Sequence, residues 1–137
     1  FANPQEHVIL NTVLSKEPLA PLSVGGDQRL GDAMRWVVYA LITAEELGLT
    51  QANVRERLAE AQNNPQMTQL RRFLGVEGEL GTKLGLAPDF VVRVIEATGN
   101  YGEIYNRHLG PDSAVPIPRG LNQLHRDGGA MTAPPFQ

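Results

Sequence analysis

The sequence predicts a mainly α-helical domain with one or two strands at its N-terminal end. The helical prediction comes from residues 30–42, where apolar side chains recur at three- and four-residue spacing, as on an amphipathic helix. The strand prediction comes from residues 7–14, HVILNTVL, which are rich in apolar and β-branched side chains and have no helix-capping pattern. Prolines and glycines divide the rest of the chain into short segments.

The first strand is expected within residues 7–14, and a second short strand at residues 22–24 before the Gly25–Gly26 turn. Pro18 and Pro21 exclude a continuous helix between the two. The first helix then begins after Asp27 and ends near Leu47, because Gly48 readily adopts the left-handed conformation that stops a helix.

Five further helical segments are expected from the start signals that follow. Thr50 is predicted to cap a second helix, and Asn64–Pro65 to start a third with the proline in its first turn. A helical turn is expected at residues 79–84, and another helix after Pro88–Asp89. Asn100 and Glu103 have the spacing of a capping box. The predicted core positions are Val54, Leu58, Ala61, Met67, Leu70, Phe73, Leu74, Phe90, Val91, Val94, Ile95, Ile104, Tyr105 and Leu109.

The last part of the chain is rich in proline and glycine and is expected to form a tail that wraps the helices. Because such a segment cannot satisfy itself by regular hydrogen bonding, side-chain burial must hold it in place. The predicted anchors are Ile117, Leu121, Leu124 and Phe136.

Composition excludes several classes of function. A net charge of −3 with scattered basic residues argues against a nucleic-acid partner. The absence of cysteine removes disulfides, thiol nucleophiles and thiolate metal sites. His7, His108 and His125 have no ligand spacing, and the GVEGELG sequence at residues 75–81 lacks the lysine and hydroxyl of a phosphate loop. We therefore expect no catalytic residue, no metal and no cofactor.

Several long sequence segments, in order along the chain, resemble segments of one protein family. They are SKEPLAP (residues 15–21), GDQ (26–28), RWVVYALITAEELG (35–48), LGVEGELGTKLGL (74–86), NYGEIYNRHLGPDS (100–113) and PRGLN (118–122). Together they are similar to the C-terminal portion of the periplasmic general L-amino-acid-binding proteins of bacterial ABC importers. The resemblance implies a fragment of a two-lobed α/β periplasmic-binding-protein fold with a helical extension, and a role in amino-acid transport rather than catalysis.

In that family two lobes close over an amino acid, whose carboxylate is met by an arginine and whose ammonium by an acidic residue. The resemblance places both groups upstream of Phe1, so no residue here is assigned to the ligand. The implied partners are an L-amino acid, bound through the missing N-terminal part, and an ABC permease in the inner membrane, which places the protein in the periplasm. Lys16 and Glu17 follow the strand that returns between the lobes, and they are hinge or cleft-edge candidates.

The same resemblance divides the chain into three parts. Residues 1–49 would complete an α/β lobe, residues 50–110 would form a helical extension, and residues 111–137 would be the wrapping tail. An unpaired strand at residues 7–14 would also invite a homodimer. Two alternatives are a free-standing helical interaction module and a dehydratase-like enzyme on the same fold.

Overall fold

A computed structural model describes residues 3–8, 10, 12 and 19–136 of the chain. Its α-helices, numbered here in chain order, are α1 (Gln28–Glu46), α2 (Val54–Asn63), α3 (Thr68–Phe73), α4 (Leu80–Lys83), α5 (Phe90–Thr98) and α6 (Tyr101–Leu109). Single 3₁₀ turns occur at Pro4–Glu6, Gly120–Asn122 and His125–Asp127. The mainly α-helical prediction is confirmed.

The first helix begins and ends where the sequence predicts. The Asp27 carboxylate accepts a hydrogen bond from the Leu30 amide at 3.0 Å, which satisfies one of the free donors of the first turn. At the other end, Gly48 has a φ of +67°, in the left-handed region that favours glycine. The chain therefore leaves α1 directly after Glu46.

The core lies where α1 packs against α5 and α6, and α2 against α3 and α5. Ala40 and Ala44 lie one turn apart on α1 and are fully buried. Their small side chains allow the neighbouring helices to approach closely. Larger side chains fill the remaining space, namely Leu49, Val54, Leu70, Phe73, Leu74, Phe90, Val91, Val92 and Ile95.

The start of α2 follows the prediction, and the start of α3 comes later than predicted. Thr50 caps the turn that leads into α2, because its hydroxyl accepts a hydrogen bond from the Asn53 amide at 3.2 Å and its carbonyl accepts one from the Val54 amide at 3.0 Å. The Asn53 side chain accepts in return from the Thr50 amide at 2.7 Å. Asn64, in contrast, accepts a hydrogen bond from the Gln66 amide at 3.0 Å, and α3 begins only at Thr68. A short polar side chain that bonds the nearby backbone favours a turn over helix, which explains this delay.

The capping box of α6 is confirmed. The Asn100 side chain accepts from the Glu103 amide, and the Glu103 carboxylate accepts from the Asn100 amide, both at 2.8 Å. Asn100 also donates to the Leu49 carbonyl at 2.7 Å, which ties the start of α6 to the segment that follows α1.

The tail is held by fewer side chains than predicted. Leu124 is only 1% exposed, and the Phe136 ring makes edge-to-face contacts with Trp36 and Phe73 at centroid distances of 5.0 and 4.8 Å. Leu121, however, is 54% exposed, and Ile117 is also exposed. The prediction of these two residues as anchors is therefore wrong. The backbone explains part of the difference in burial between Leu124 and Leu121. The His125 amide donates to the Met131 carbonyl and the Met131 amide donates to the Gln123 carbonyl, and these bonds hold the chain around Leu124 in place.

The prediction of N-terminal strands is wrong for the residues that the structure describes. Residues 22–24 have no regular structure, and the described members of the 7–14 segment form no strand, while residues 9, 11, 13 and 14 lie outside the described residues. A strand is stable only when its backbone groups pair with another strand, and the described part of the chain offers none. The homodimer prediction rested on that strand and loses its basis.

Candidate functional site

Lys16 and Glu17, the predicted hinge or cleft-edge residues, lie outside the residues that the structure describes. Their role stays a prediction. The described residues instead show two features of functional interest, one at each end of α1. An uncovered apolar surface lies at its N-terminal half, and a partly buried ion pair lies at its C-terminal end.

Helix α1 carries two apolar stripes. The first, which we call the core stripe, consists of Trp36, Ala40 and Ala44, and these residues pack in or against the buried core. The second, which we call the outer stripe, consists of Leu30, Met34 and Val38, and none of its members belongs to that core. The residues within each stripe are four positions apart and therefore lie on one face of the helix. The two stripes are two positions out of step, which places them on different faces because the helix turns 100° per residue. The outer stripe continues to Ile42, which is only 5% exposed, so the stripe is covered at its C-terminal end and least covered at Leu30.

The outer stripe faces a groove. Met34 and Val38 line one side of a depression of about 270 Å³, and Ala20, Pro21 and Ser23 of the preceding segment line the other. Leu30, at the outer end of the stripe, is 43% exposed. The groove is therefore open to solvent along an apolar helix face.

The segment that precedes α1 adds more uncovered apolar area. Leu22 is 92% exposed, and Leu19 and Val24 are also strongly exposed. We refer to these three residues and the outer stripe together as the N-terminal apolar surface. Exposed apolar side chains concentrated in one part of a folded domain commonly mark an interaction site.

The opposite end of α1 carries the most enclosed ion pair among the described residues. The Arg119 guanidinium donates two hydrogen bonds to the Glu45 carboxylate, the longer at 3.0 Å, and both side chains are more than four-fifths buried. The guanidinium also lies over the rings of Tyr101 and Tyr105, 5.6 and 5.5 Å from their centroids. Arg119 donates further to the Asn122 carbonyl at 2.8 Å. The tail is thereby fixed to α1 and α6 at one point.

The electrostatics of this cluster follow from its contacts. The hydrogen bond to Glu45 raises the pKa of the Arg119 guanidinium above its ordinary value, although burial opposes the shift. Burial raises the pKa of the Tyr101 hydroxyl, partly offset by the nearby charge of Arg119. The cluster is thus a charge-compensated ion pair that lies against two tyrosine rings.

Gly102 of α6 allows that helix to lie close to the Glu45 carboxylate. A Cβ atom on Gly102 of α6 would lie 2.8 Å from the Glu45 carboxylate. Any larger residue at this position would have to displace the acid. Gly102 is therefore a local requirement of the Glu45–Arg119 pair.

The described residues show little that points to catalysis. They contain no group of three or more histidine or acidic side chains able to hold a metal ion. A wider groove of about 530 Å³ lies beside the tail, where Tyr105, Pro116 and Arg119 are among its lining residues. The Tyr105 hydroxyl there lies 3.3 Å from the carbonyls of Ile117 and Pro118, so it is already engaged by backbone. In the described part of the chain, no helix is long and apolar enough to cross a membrane.

Comparison with known proteins gives a consistent result. The chain is 46% identical over 135 residues to the glutamate/glutamine/aspartate/asparagine-binding protein BztA of Rhodobacter capsulatus, a match that covers 98% of this chain and 39% of BztA. It is 48% identical over 137 residues to the general L-amino acid-binding periplasmic protein AapJ of Rhizobium johnstonii, again covering 98% of this chain and 39% of the relative. No family model matches the chain.

A solved structure agrees with these relatives. A periplasmic binding protein of an ABC transporter from Brucella ovis, with glutathione bound, superposes with a TM-score of 0.87 at 43% identity. The superposition covers 99% of this chain and 41% of the Brucella protein. This chain is homologous to one portion of the periplasmic amino-acid-binding proteins of ABC transporters. The predicted resemblance to their C-terminal portion is confirmed.

Sequence reasoning missed both functional features of α1. The Glu45–Arg119 pair joins residues 74 positions apart, and nothing in the spacing of the two residues signals it. The outer stripe, in contrast, had a signal. Residues 30–42 hold more apolar positions than a single packed face needs.

Proposed function

We propose that this chain acts in amino-acid transport, as part of a periplasmic substrate-binding protein that delivers L-amino acids to the permease of an ABC importer in the inner membrane. The observation that carries the proposal is the contiguous match to amino-acid-binding relatives, which extends over 98% of the chain at 46–48% identity. The chain spans about 39% of the length of those relatives. The activity therefore belongs to the longer protein, and the proposal assigns no catalytic role.

The three parts expected from the sequence carry over as part of this proposal. Residues 1–49 would complete a lobe, residues 50–110 would extend it with helices outside the cleft, and residues 111–137 would cover the extension. One observation favours a ligand site outside this chain. Arg119 and Glu45 have the chemistry needed for a zwitterion, but each already binds the other. An amino acid would have to break that pair to reach them.

The alternatives have less support. A free-standing helical interaction module would use the N-terminal apolar surface for a separate partner, and its relatives would not be expected among transport proteins. A dehydratase-like enzyme needs a free acid that faces a cleft. Glu45 is one of two neighbouring acids on α1, and it is already ion-paired with Arg119.

The proposal is tested by calorimetry on two proteins. The first is the 137-residue chain alone. The second is a chimera in which this chain replaces the matching portion of AapJ. We expect no saturable heat from the isolated chain with glutamate, glutamine, aspartate, arginine or glutathione, because an unpaired zwitterion is better solvated by water. We expect the chimera to bind amino acids and to restore glutamate uptake in a Rhizobium johnstonii strain that lacks AapJ.

Two outcomes would contradict the proposal. Saturable binding of an amino acid by the isolated chain would place the ligand site within these residues. A chimera that folds and binds amino acids, yet fails to support uptake, would remove the role in delivery to the permease.

A further inference from the structure

We propose that residues 119–136 of the tail form a strap that fastens α1 to the other helices, and that this strap releases from its C-terminal end first. Its consequence for transport rests on the proposed function. Where residues 1–49 complete a lobe, a fastened strap makes the helical extension of residues 50–110 move with that lobe as one body.

Each end of the strap contacts α1 and a second helix at the same time. Arg119 binds the Glu45 carboxylate of α1 and lies over two tyrosine rings of α6. At the other end, the Phe136 ring contacts both Trp36 of α1 and Phe73 of α3. Glu45 and Trp36 are roughly 13 Å apart along the helix axis, at about 1.5 Å per residue. The strap therefore joins α1 to α6 at one end and to α3 at the other.

Between its ends the strap also holds the C-terminal end of α1. Arg126 donates a hydrogen bond to the Glu46 carbonyl at 2.8 Å. The last carbonyls of a helix have no partner within the helix, and a cation there interacts favourably with the helix dipole. Nearby in the strap, the Leu124 side chain is buried. The strap thus contacts α1 at three places between residues 36 and 46.

The side of α1 that faces α5 and α6 is built partly from small side chains. Two of the three buried residues of α1 are alanines, Ala40 and Ala44. On α6, Gly102 lies against Glu45. Small side chains allow close approach, but they bury little apolar area, and hydrophobic stabilisation scales with that area. A strap that ties the helices from outside adds stabilisation where their direct contact provides least.

The two ends of the strap are held unequally. Arg119 has an ion pair that is more than four-fifths buried and a further bond to the Asn122 carbonyl. In the part of the chain that the structure describes, residues 132–136 have no hydrogen bond, and of these only Phe136 packs against the buried core. Segments with few buried contacts and few hydrogen bonds open first. Release therefore begins at Phe136 and uncovers Trp36.

Amide hydrogen exchange of the 137-residue chain tests the fastening. Arg119→Gln removes the charge that binds Glu45. We expect the amides of residues 43–46, at the end of α1, to exchange at least about tenfold faster, and those of α5 to change less than about threefold. Arg93→Gln is the matched control, because Arg93 is exposed and pairs with Asp89 four residues away. It should leave residues 43–46 unchanged.

Protection of α5 in the same sample shows that the Arg119→Gln variant is folded. Equal acceleration in α1 and α5 would indicate a general loss of stability and would overturn the inference. So would an unchanged rate at residues 43–46, since α1 would then be held without the strap.

Trp36 reports on the order of release, because it is the single tryptophan of the chain. In Phe136→Ala, quenching of its fluorescence by acrylamide should rise at least about twofold, while the amides of His125 and Met131 keep their exchange rates within about threefold. Leu121→Ala, at an exposed position of the strap, should change neither quantity. Unchanged quenching in Phe136→Ala, or rapid exchange at His125 and Met131, would show that the strap does not open from this end.

The AapJ chimera extends the test to the longer protein. The contrast between α1 and α5 in Arg119→Gln should be the same with and without glutamate, because the strap holds α1 in both states. A contrast that disappears when glutamate is added would overturn the joint movement of lobe and extension. Failure of the proposed function looks different. A chimera that binds no amino acid leaves the exchange and quenching results of the 137-residue chain as they are.

Discussion

The helical body and the N-terminal apolar surface have similar side chains but opposite burial. Leucine, valine and phenylalanine of α2, α3 and α5 are enclosed by neighbouring helices, whereas Leu19, Leu22 and Val24 are mostly exposed. The two regions meet on α1, whose core stripe belongs to the first and whose outer stripe belongs to the second. The comparison shows that apolar composition alone does not make a core, since a second packed element must also be present.

The largest expected effect comes from Phe73→Ala. Phe73 is 2% exposed and contacts Phe136, so its truncation leaves a cavity under the tail. We expect a loss of about 3–5 kcal/mol in the free energy of unfolding. Leu22→Ala in the same isolated chain should change it by less than about 0.5 kcal/mol. Chemical denaturation of both variants measures the difference, and equal losses would erase the distinction between the two regions.

Gly75→Ala should be next in size. Gly75 has a φ of +74°, and a Cβ atom there would lie 1.9 Å from the Pro88 carbonyl oxygen. Strain and backbone clash together should cost about 2–4 kcal/mol. Gly78→Ala is the control, because Gly78 has a φ of +96° but open space around it, and should cost about 1–2 kcal/mol. A control as damaging as the clash variant would show that backbone conformation alone sets the cost.

Glu45→Gln tests the point where the tail joins the helical body. The substitution keeps the shape of the side chain but leaves the Arg119 charge partly buried and without its carboxylate. We expect a loss of about 1–2 kcal/mol. Glu79→Gln removes the partner of Lys83 in a pair that is about three-quarters exposed, and should cost less than about 0.5 kcal/mol. If urea unfolding gives the same loss for both, Glu45 has no special part in holding the tail.

The smallest expected effect depends on pH. The hydrogen bond from Arg93, at 2.9 Å, holds the pKa of Asp89 below its ordinary value. A carboxyl with a lowered folded-state pKa stabilises the protein above its unfolded value, near 4, and this contribution is lost as the pH falls through the folded-state pKa. Asp89→Asn should therefore cost less than about 0.5 kcal/mol at pH 7, with the deficit shrinking as the pH falls below the ordinary carboxyl pKa. Melting curves from pH 7 to pH 3 would show it, and a deficit that grows in acid would contradict the assignment.

The parts of the fold that the sequence predicted are those decided within a few residues. Gly48 ends α1, and the Asn100–Glu103 box begins α6, because each depends on backbone conformation or on a bond three residues long. The start of α3 was placed too early for a local reason as well. Asn64 bonds the adjacent turn, and sequence alone does not show which of two local bonds a polar side chain makes.

The misplaced features depend on distant residues. Leu121 and Leu124 are alike in the sequence, yet only Leu124 is buried, because the backbone bonds to Met131 fix which side chain turns inward. The Glu45–Arg119 pair and its tyrosines likewise come together only when α1, α6 and the tail are packed. Residues 22–24 have strand-like composition, but no strand lies beside them among the residues that the structure describes, and a strand cannot be stable without a pairing partner.

The sequence by itself determined the helical class, the first helix with its ends, the capping box of α6, and the similarity to amino-acid-binding proteins. Each of these depends on local periodicity, on side chains a few residues apart, or on contiguous segments of sequence. The tertiary structure alone decided how far along α1 each apolar stripe is covered, which tail leucine is buried, and that Glu45 and Arg119 form an ion pair. The physical reason is that burial and ion pairing are properties of neighbours in space, and for this chain those neighbours come from segments far apart along the sequence.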